Sequence, residues 1–289
     1  MKKVALTLFL VIILIGATLA FTACGSTVIV PGAAWAQTET LLYNIKDTSK
    51  DNAIVGTLET KIVKLDVGEY TIDKLPDQHF SVTSNVLKGL RYTQIAKTVD
   101  GDIMMESESI FNAFNIIGSY KRVYSNSLNA RAYESKLHVS DSKYIITIDG
   151  ESKASIKVKD TTVSNEILYT ALRAYSEIDS EYQLSLDVVD PINGKAESLI
   201  LSATSGREAF EFKHATSDDE LTTSSVNCIV VNISKSTAPI GSTITVLYTE
   251  KAFSIKGLLN ESSTNQSIHI PVKIIENELV YELIEARAY

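Results

Sequence analysis

From Glu39 to the C-terminus the chain alternates apolar and polar residues with a period of two, and β-branched residues are dense along it. Successive side chains of a strand point to opposite faces, so this pattern buries one face and leaves the other wet, as in antiparallel sheets. The fold class is therefore mainly β. The alternation predicts strands at 41–45, 54–67, 69–74, 80–86, 92–99, 116–124, 130–139, 144–148 and 154–158. Turn residues separate them at Val67-Gly68, Pro76-Asp77, Asp100-Gly101 and Asp149-Gly150. Asp-Gly between apolar runs is a strong hairpin signal. Further strands are expected at 208–213, 228–233, 243–248 and 253–258, with 217–223 (SDDELTT) as a solvated loop.

Two hairpins can be tested by register. With Asn193-Gly194 as a two-residue loop, Val188 faces Leu199, Leu186 faces Leu201 and Leu184 faces Ala203. A slip of one residue would set Ser198 and Ser202 against the apolar positions, so it is disfavoured. Around Asn277-Glu278, Ile274 falls opposite Tyr281, Val272 opposite Leu283 and Lys273 opposite Glu282. The last is an opposite-charge pair of a kind worth a few tenths of a kcal/mol. Pro271 cannot donate to a ladder, which predicts an edge strand there.

One stretch departs from period two. Residues 165–176 (NEILYTALRAYS) place Ile167, Leu168, Ala171, Leu172 and Tyr175 on one helical face, with Ser164 or Asn165 able to cap the start. We expect one amphipathic helix packed on a sheet. On either side of it, 39–160 and 177–289 carry a similar density of strands and read as two similar halves of one β-rich region, 39–289, with no convincing residue-level repeat.

The N-terminus is of a different kind. Met1-Lys2-Lys3 is followed by an almost unbroken apolar run from Val4 to Leu19, and no charge occurs between Lys3 and Glu39. A basic start and an apolar run are what export machinery reads. Ala23-Cys24-Gly25 resembles the lipobox of bacterial lipoproteins, although Phe21 stands where that pattern usually has leucine. The resemblance implies a signal peptide over 1–23, a lipidated Cys24 at the head of the mature chain and a linker over 24–38. Two other readings stand beside it: an uncleaved helix, since the run is about long enough for a ~30 Å hydrocarbon core, and cleavage after Ala36, which would release the chain. The first two leave a protein anchored to the membrane on its outer side.

Composition narrows the chemistry. The chain carries a net charge of −8, so charge favours neither nucleic acid nor anionic lipid heads as partners. There are two cysteines; with Cys24 lipidated, Cys228 is left in an apolar strand, where a buried thiol is expected rather than a nucleophile. His79, His138, His214 and His269 show no ligand spacing, and Asp100-Gly101-Asp102 and Asp218-Asp219-Glu220 complete no calcium loop, so no metal site and no cofactor is expected. No nucleophile elbow and no phosphate-binding glycine loop occurs. Ser140-Asp141-Ser142-Lys143 fits Ser-x-x-Lys without its companion motifs and reads as a strand turn. The chain is not expected to be an enzyme. Thirteen tyrosines and eight phenylalanines recur on strands, as core packing or as a concave face for an apolar ligand.

Several short stretches together resemble an uncharacterised family of secreted bacterial proteins, domain of unknown function 3108. They are Glu39-Thr40-Leu41-Leu42-Tyr43 with Gly56 downstream, Glu166 to Arg173 (EILYTALR), Gly194-Lys195-Ala196-Glu197, and Ile270-Pro271-Val272-Lys273-Ile274. That family is thought similar in fold to the lipoprotein carriers of the bacterial envelope. The resemblance implies a strongly curved antiparallel sheet, an unclosed half-barrel, with helix over its concave face and a hydrophobic cavity beneath. It carries over no catalytic residue. The expectation is a membrane-tethered, extracytoplasmic lipoprotein that binds a lipid or other hydrophobic ligand, with Tyr169, Leu172 and Tyr175 lining the cavity. The alternative is a structural or protein-interaction module of the cell envelope with no ligand cavity.

Overall fold

The computed structural model describes residues 37–83, 89–112, 115–124, 132–141, 143–157, 162–174, 184–215, 220–235, 243–250 and 269–288. The first arm of the fold comprises β1 (Thr38–Asp47), β2 (Ala53–Leu65), β3 (Gly68–Ile72), β4 (Leu75–Val82), β5 (Gly89–Thr98), β6 (Ile103–Asn112), β7 (Asn115–Val123), β8 (Tyr133–Ser140), β9 (Lys143–Ile148) and β10 (Glu151–Lys157). A short β11 (Thr162–Ser164) leads into a helical segment. The second arm comprises β12 (Leu184–Asp190), β13 (Lys195–Ala215), β14 (Leu221–Lys235), β15 (Thr243–Thr249), β16 (Pro271–Glu276) and β17 (Leu279–Ala288).

Fifteen of these strands form one sheet in the order β10-β9-β8-β7-β6-β5-β2-β1-β17-β16-β15-β14-β13-β12-β11, and β3 and β4 form a separate hairpin. The two arms join where the first strand meets the last, with Leu41 opposite Ala286 and Ile45 opposite Tyr281. An additional parallel pairing sets Lys213, His214 and Ala215 of β13 against Glu285, Ala286 and Arg287 of β17. It closes β13 to β17 into a ring of five strands inside the larger sheet. The unclosed half-barrel is thereby corrected. The first half of β17 pairs with β16. Its second half would otherwise show bare backbone on that side, and β13 reaches across to satisfy it.

The strands between the two buried clusters carry unbroken apolar runs because both faces are covered. On β14, Cys228 joins a cluster with Phe212, Leu247, Val272 and Leu283, one residue from each ring strand. Its neighbour Ile229 faces the other way, into the largest cluster. That cluster draws on both arms, with Leu90, Phe111, Tyr144 and Ile146 from the first and Leu186, Val231 and Tyr248 from the second. Between them lie Val163, Ile167, Leu168, Ala171 and Leu172 of the helical segment.

This segment is shorter than the expected helix. It is a 3-10 turn (Asn165–Ile167), one α turn named α1 (Leu168–Ala171) and a second 3-10 turn (Leu172–Ala174). The Ser164 hydroxyl caps it, accepting from the Glu166 N–H at 3.3 Å. Ile167, Leu168, Ala171 and Leu172 of the expected apolar face are buried, but Thr170 and Arg173 are buried too. With both sheet arms contributing to the same core, the segment is buried nearly all round.

Several local expectations change, and the strand expected at 253–258 lies outside the described residues. The hairpin at Asn193-Gly194 pairs Leu184 with Leu201, Leu186 with Leu199 and Val188 with Glu197, two residues from the expected register. The loop spans four residues because the Asp190 carboxylate accepts the Ile192 N–H at 2.9 Å, and Gly194, at φ 62°, donates to the Asp190 carbonyl at 3.0 Å. The hairpin at Asn277 has the expected pairs Lys273–Glu282 and Ile274–Tyr281. Its strand β16, however, lies between β15 and β17 rather than at an edge. Pro271 is tolerated as the first residue of that strand, opposite Tyr248 at a register irregularity. Strands β6 and β11 were not expected, and β14 begins inside the supposed loop, at Leu221. At Asp149-Gly150 both φ angles are positive, at 50° and 85°, as a two-residue hairpin turn requires.

A candidate ligand pocket under the helical segment

Residues two apart share a strand face, so β1 offers Leu41 and Tyr43 inward, β2 Leu58 and Thr60, and β5 Tyr92 and Gln94. Met105, Pro271, Ile274 and Tyr281 extend this wall, and 165–167 with Tyr169 and Thr170 roof it. Together they enclose a cavity of about 150 Å³. One end is polar, with Lys121 from β7, Glu166 from the first 3-10 turn and Glu276 from the end of β16.

The roof is held down by hydrogen bonds. Arg173, 1 % exposed, forms a bidentate pair with Glu39 at 2.6 and 2.8 Å, and its Nε donates to the His269 carbonyl at 3.0 Å. The His269 N–H in turn donates to the Arg173 carbonyl at 2.8 Å. The Tyr248 hydroxyl donates to the Tyr169 carbonyl at 3.0 Å, and the Tyr43 hydroxyl to the Pro271 carbonyl at 2.8 Å. Burial opposes the charge on Arg173, but Glu39 outweighs it and holds the guanidinium's pKa above its ordinary value. Fork-to-carboxylate geometry of this kind is specific to arginine.

The polar end has its own pattern. Lys121 Nζ lies 3.2 Å from Glu166 Oε2, and the Tyr169 hydroxyl donates to Glu276 Oε2 at 3.1 Å. Burial opposes the Lys121 charge, yet Glu166, Tyr133 and Glu276 together raise its pKa, so it stays an ammonium. Burial, and after it the Glu276 carboxylate, raises the phenols of Tyr169 and Tyr281. Burial likewise raises those of Tyr43, Tyr92 and Tyr248, so all five remain neutral donors at physiological pH. These groups can orient a polar head while the sheet face holds an apolar body.

Of the residues expected to line a cavity, Tyr169 does so. Leu172 is fully buried in the adjoining core and not in the cavity wall. Tyr175 and Cys24 lie outside the described residues. Cys228 is buried and free of disulfide, and burial pushes its thiol pKa up to about 12. Among the described residues no group of three or more His, Cys, Asp or Glu side chains is placed to hold a metal ion, and no helix is long and apolar enough to cross a membrane. Lys121, Glu166 and Glu276 were not anticipated. Glu276 did carry a signal: it follows Val272 and Ile274 at intervals of two, so a charge stands where the alternation demands an inward residue. Glu39 and Arg173 come from two of the stretches quoted for the resemblance, 134 residues apart, and their side chains meet.

No protein-family model and no curated protein matches the chain. Among solved structures it is similar to a β-barrel-like protein of domain of unknown function DUF1849 from Brucella abortus. That likeness has a TM-score of 0.43 and 9 % identity over 88 % of this chain and 99 % of the other.

Proposed function

We propose that this chain is a membrane-tethered extracytoplasmic lipoprotein whose β domain binds a small hydrophobic ligand beneath the helical segment. The observation that carries the binding part is the cavity itself: a sheet face of aliphatic, tyrosine and polar side chains under a pinned roof, with Lys121, Glu166 and Glu276 beside it. Its volume, about 150 Å³, equals that of cavities that hold benzene and is about half the lower bound of ordinary ligand pockets. The ligand that fits is therefore a single ring, a short chain or the end of a longer lipid, and not a whole fatty acid. The tether rests on the resemblance of Ala23-Cys24-Gly25 to a lipobox.

Two measurements test this. Calorimetric titration with benzyl alcohol and with hexanol is expected to give saturable binding that Ile274→Trp, which fills the cavity, abolishes. Mass spectrometry of the mature N-terminus is expected to find a diacylated Cys24; intact Met1, or a start at Gln37, refutes the lipidated cysteine, and a start at Gln37 refutes the tether as well. Absence of any saturable binding returns the domain to the alternative reading, an interaction module of the envelope.

A further inference from the structure

The pocket's polar end is unbalanced. Two carboxylates, Glu166 and Glu276, face one ammonium, Lys121. Lys121 is committed to Glu166, at 3.2 Å. The Glu276 carboxylate receives the Tyr169 hydroxyl and, among the described residues, has no cation within ion-pair distance. Glu166, whose side chain is 4 % exposed, also lines the cavity, and Lys121 is the one cation beside it among the described residues. Two carboxylates against one ammonium leave one negative charge without a cation at its side, which is costly in a partly buried site unless something supplies one.

The lining between the two carboxylates is aromatic. Tyr92, Tyr169 and Tyr281 all border the space, and the faces of such rings attract cations. The other full charges close by are already matched, since Arg173 is bound by Glu39. Glu282, whose side chain alternates away from that of Tyr281 along β17, is held by Lys46 and Lys273. An anion entering here would meet the surplus carboxylate and could reach Lys121 only by displacing Glu166.

We propose that the ligand of this pocket is a small organic cation: one ring or short apolar group carrying a protonated amine, its ammonium placed between Glu166 and Glu276 and its apolar part against Leu58 and Ile274. This rests on the pocket being a ligand site and adds the charge that the ligand carries.

The test compares three probes of nearly equal shape, benzylamine, benzyl alcohol and benzoate, titrated calorimetrically into the full chain in neutral-detergent micelles, with micelles alone as the blank. Benzylamine is expected to bind at least about tenfold tighter than benzyl alcohol, with benzoate weakest, the factor that about 1.4 kcal/mol of charge pairing produces. Glu276→Gln is expected to bring the benzylamine-to-benzyl-alcohol affinity ratio close to one, whereas the same change at exposed Glu151 leaves the ratio as it was. If benzyl alcohol binds as tightly as benzylamine, the charge inference falls and the pocket stands. Preference for benzoate also overturns it. If none of the three binds, both proposals fall. Should Glu276→Gln fail to fold, the order of the three probes on the unaltered chain still decides.

Discussion

Removing the Arg173 guanidinium should unfold the domain at a markedly lower temperature. Arg173→Met keeps most of the side-chain volume but leaves the Glu39 carboxylate, 1 % exposed, with neither of its hydrogen bonds at 2.6 and 2.8 Å, and the His269 carbonyl without the donor at 3.0 Å. Breaking a buried pair by deleting one partner costs about 3–5 kcal/mol, whereas a surface pair is worth about 0–1. For a domain of this size 1 kcal/mol moves Tm by about 2–4 °C, so a fall of about 6–20 °C is expected. Glu39→Met should cost a similar amount, for it strands the guanidinium instead.

The double variant is the informative one. With both charges gone the site becomes apolar, and replacing a buried pair by fitted apolar side chains is often neutral. Arg173→Met with Glu39→Met should therefore lie at least about 2 kcal/mol above the sum of the singles. Thermal melts followed by circular dichroism, with urea midpoints to confirm them, supply the three values. If each single costs less than about 1 kcal/mol, or if the singles add to the double within about 0.5, the pair does not hold the roof and the account of the pocket's closure is wrong.

Other consequences can be checked more simply. Cys228, fully buried with its thiol pKa pushed up to about 12, should resist iodoacetamide in the native protein and react only as the chain unfolds in urea; rapid native alkylation would refute the packing of β14. Burial lowers the pKa of His214, so the unfolded chain takes up a proton first as pH falls. The stability this neutral ring contributes is present above about pH 6.5 and is lost as pH drops through the lower folded value, and His214→Gln should flatten that part of the melting profile.

Much of this architecture is written in the alternation, and what is missing has physical causes. Period two reports which face a residue takes, and a shift of two residues preserves every face. The hairpin at Asn193-Gly194 therefore obeyed the alternation while sitting two residues from the expected register, and only the Asp190 carboxylate, bonded to the Ile192 N–H, settles the loop length. The hairpin at Asn277 had a further constraint, the charge pair Lys273–Glu282, and its register was legible. Strand β6 was overlooked because Glu106, Ser107 and Glu108 interrupt its alternation. Each has a cross-strand or nearby partner: Tyr124 on Glu106, Gln94 on Ser107 and Arg91 on Glu108. The ring closure left no trace, since a parallel pairing of 213–215 with 285–287 needs no turn and changes no side-chain pattern.

The pocket was legible only in part for a related reason. Periodicity placed the apolar face of 165–176 against a sheet, and the cavity reading added Tyr169, but periodicity treats a charged residue as outward by default. Glu276 breaks that default: it shares a face with Ile274 and ends the run of β16 at the pocket's polar end. A charge kept at an inward position costs stability unless it is paired, and Glu276 receives only the Tyr169 hydroxyl among the described residues. The roof above it is pinned at Glu39, at His269 and at Tyr248, on or beside three different strands. A cavity walled by paired strands of one sheet and roofed by so many bonds has little freedom to grow around a guest. On the proposed reading, selection in such a space works by exclusion: size would reject whole lipids, and the surplus carboxylate would reject anions. An inward charge at the end of an otherwise apolar strand face is then the sequence feature most worth seeking in chains of this kind, because packing alone gives no reason for it to be there.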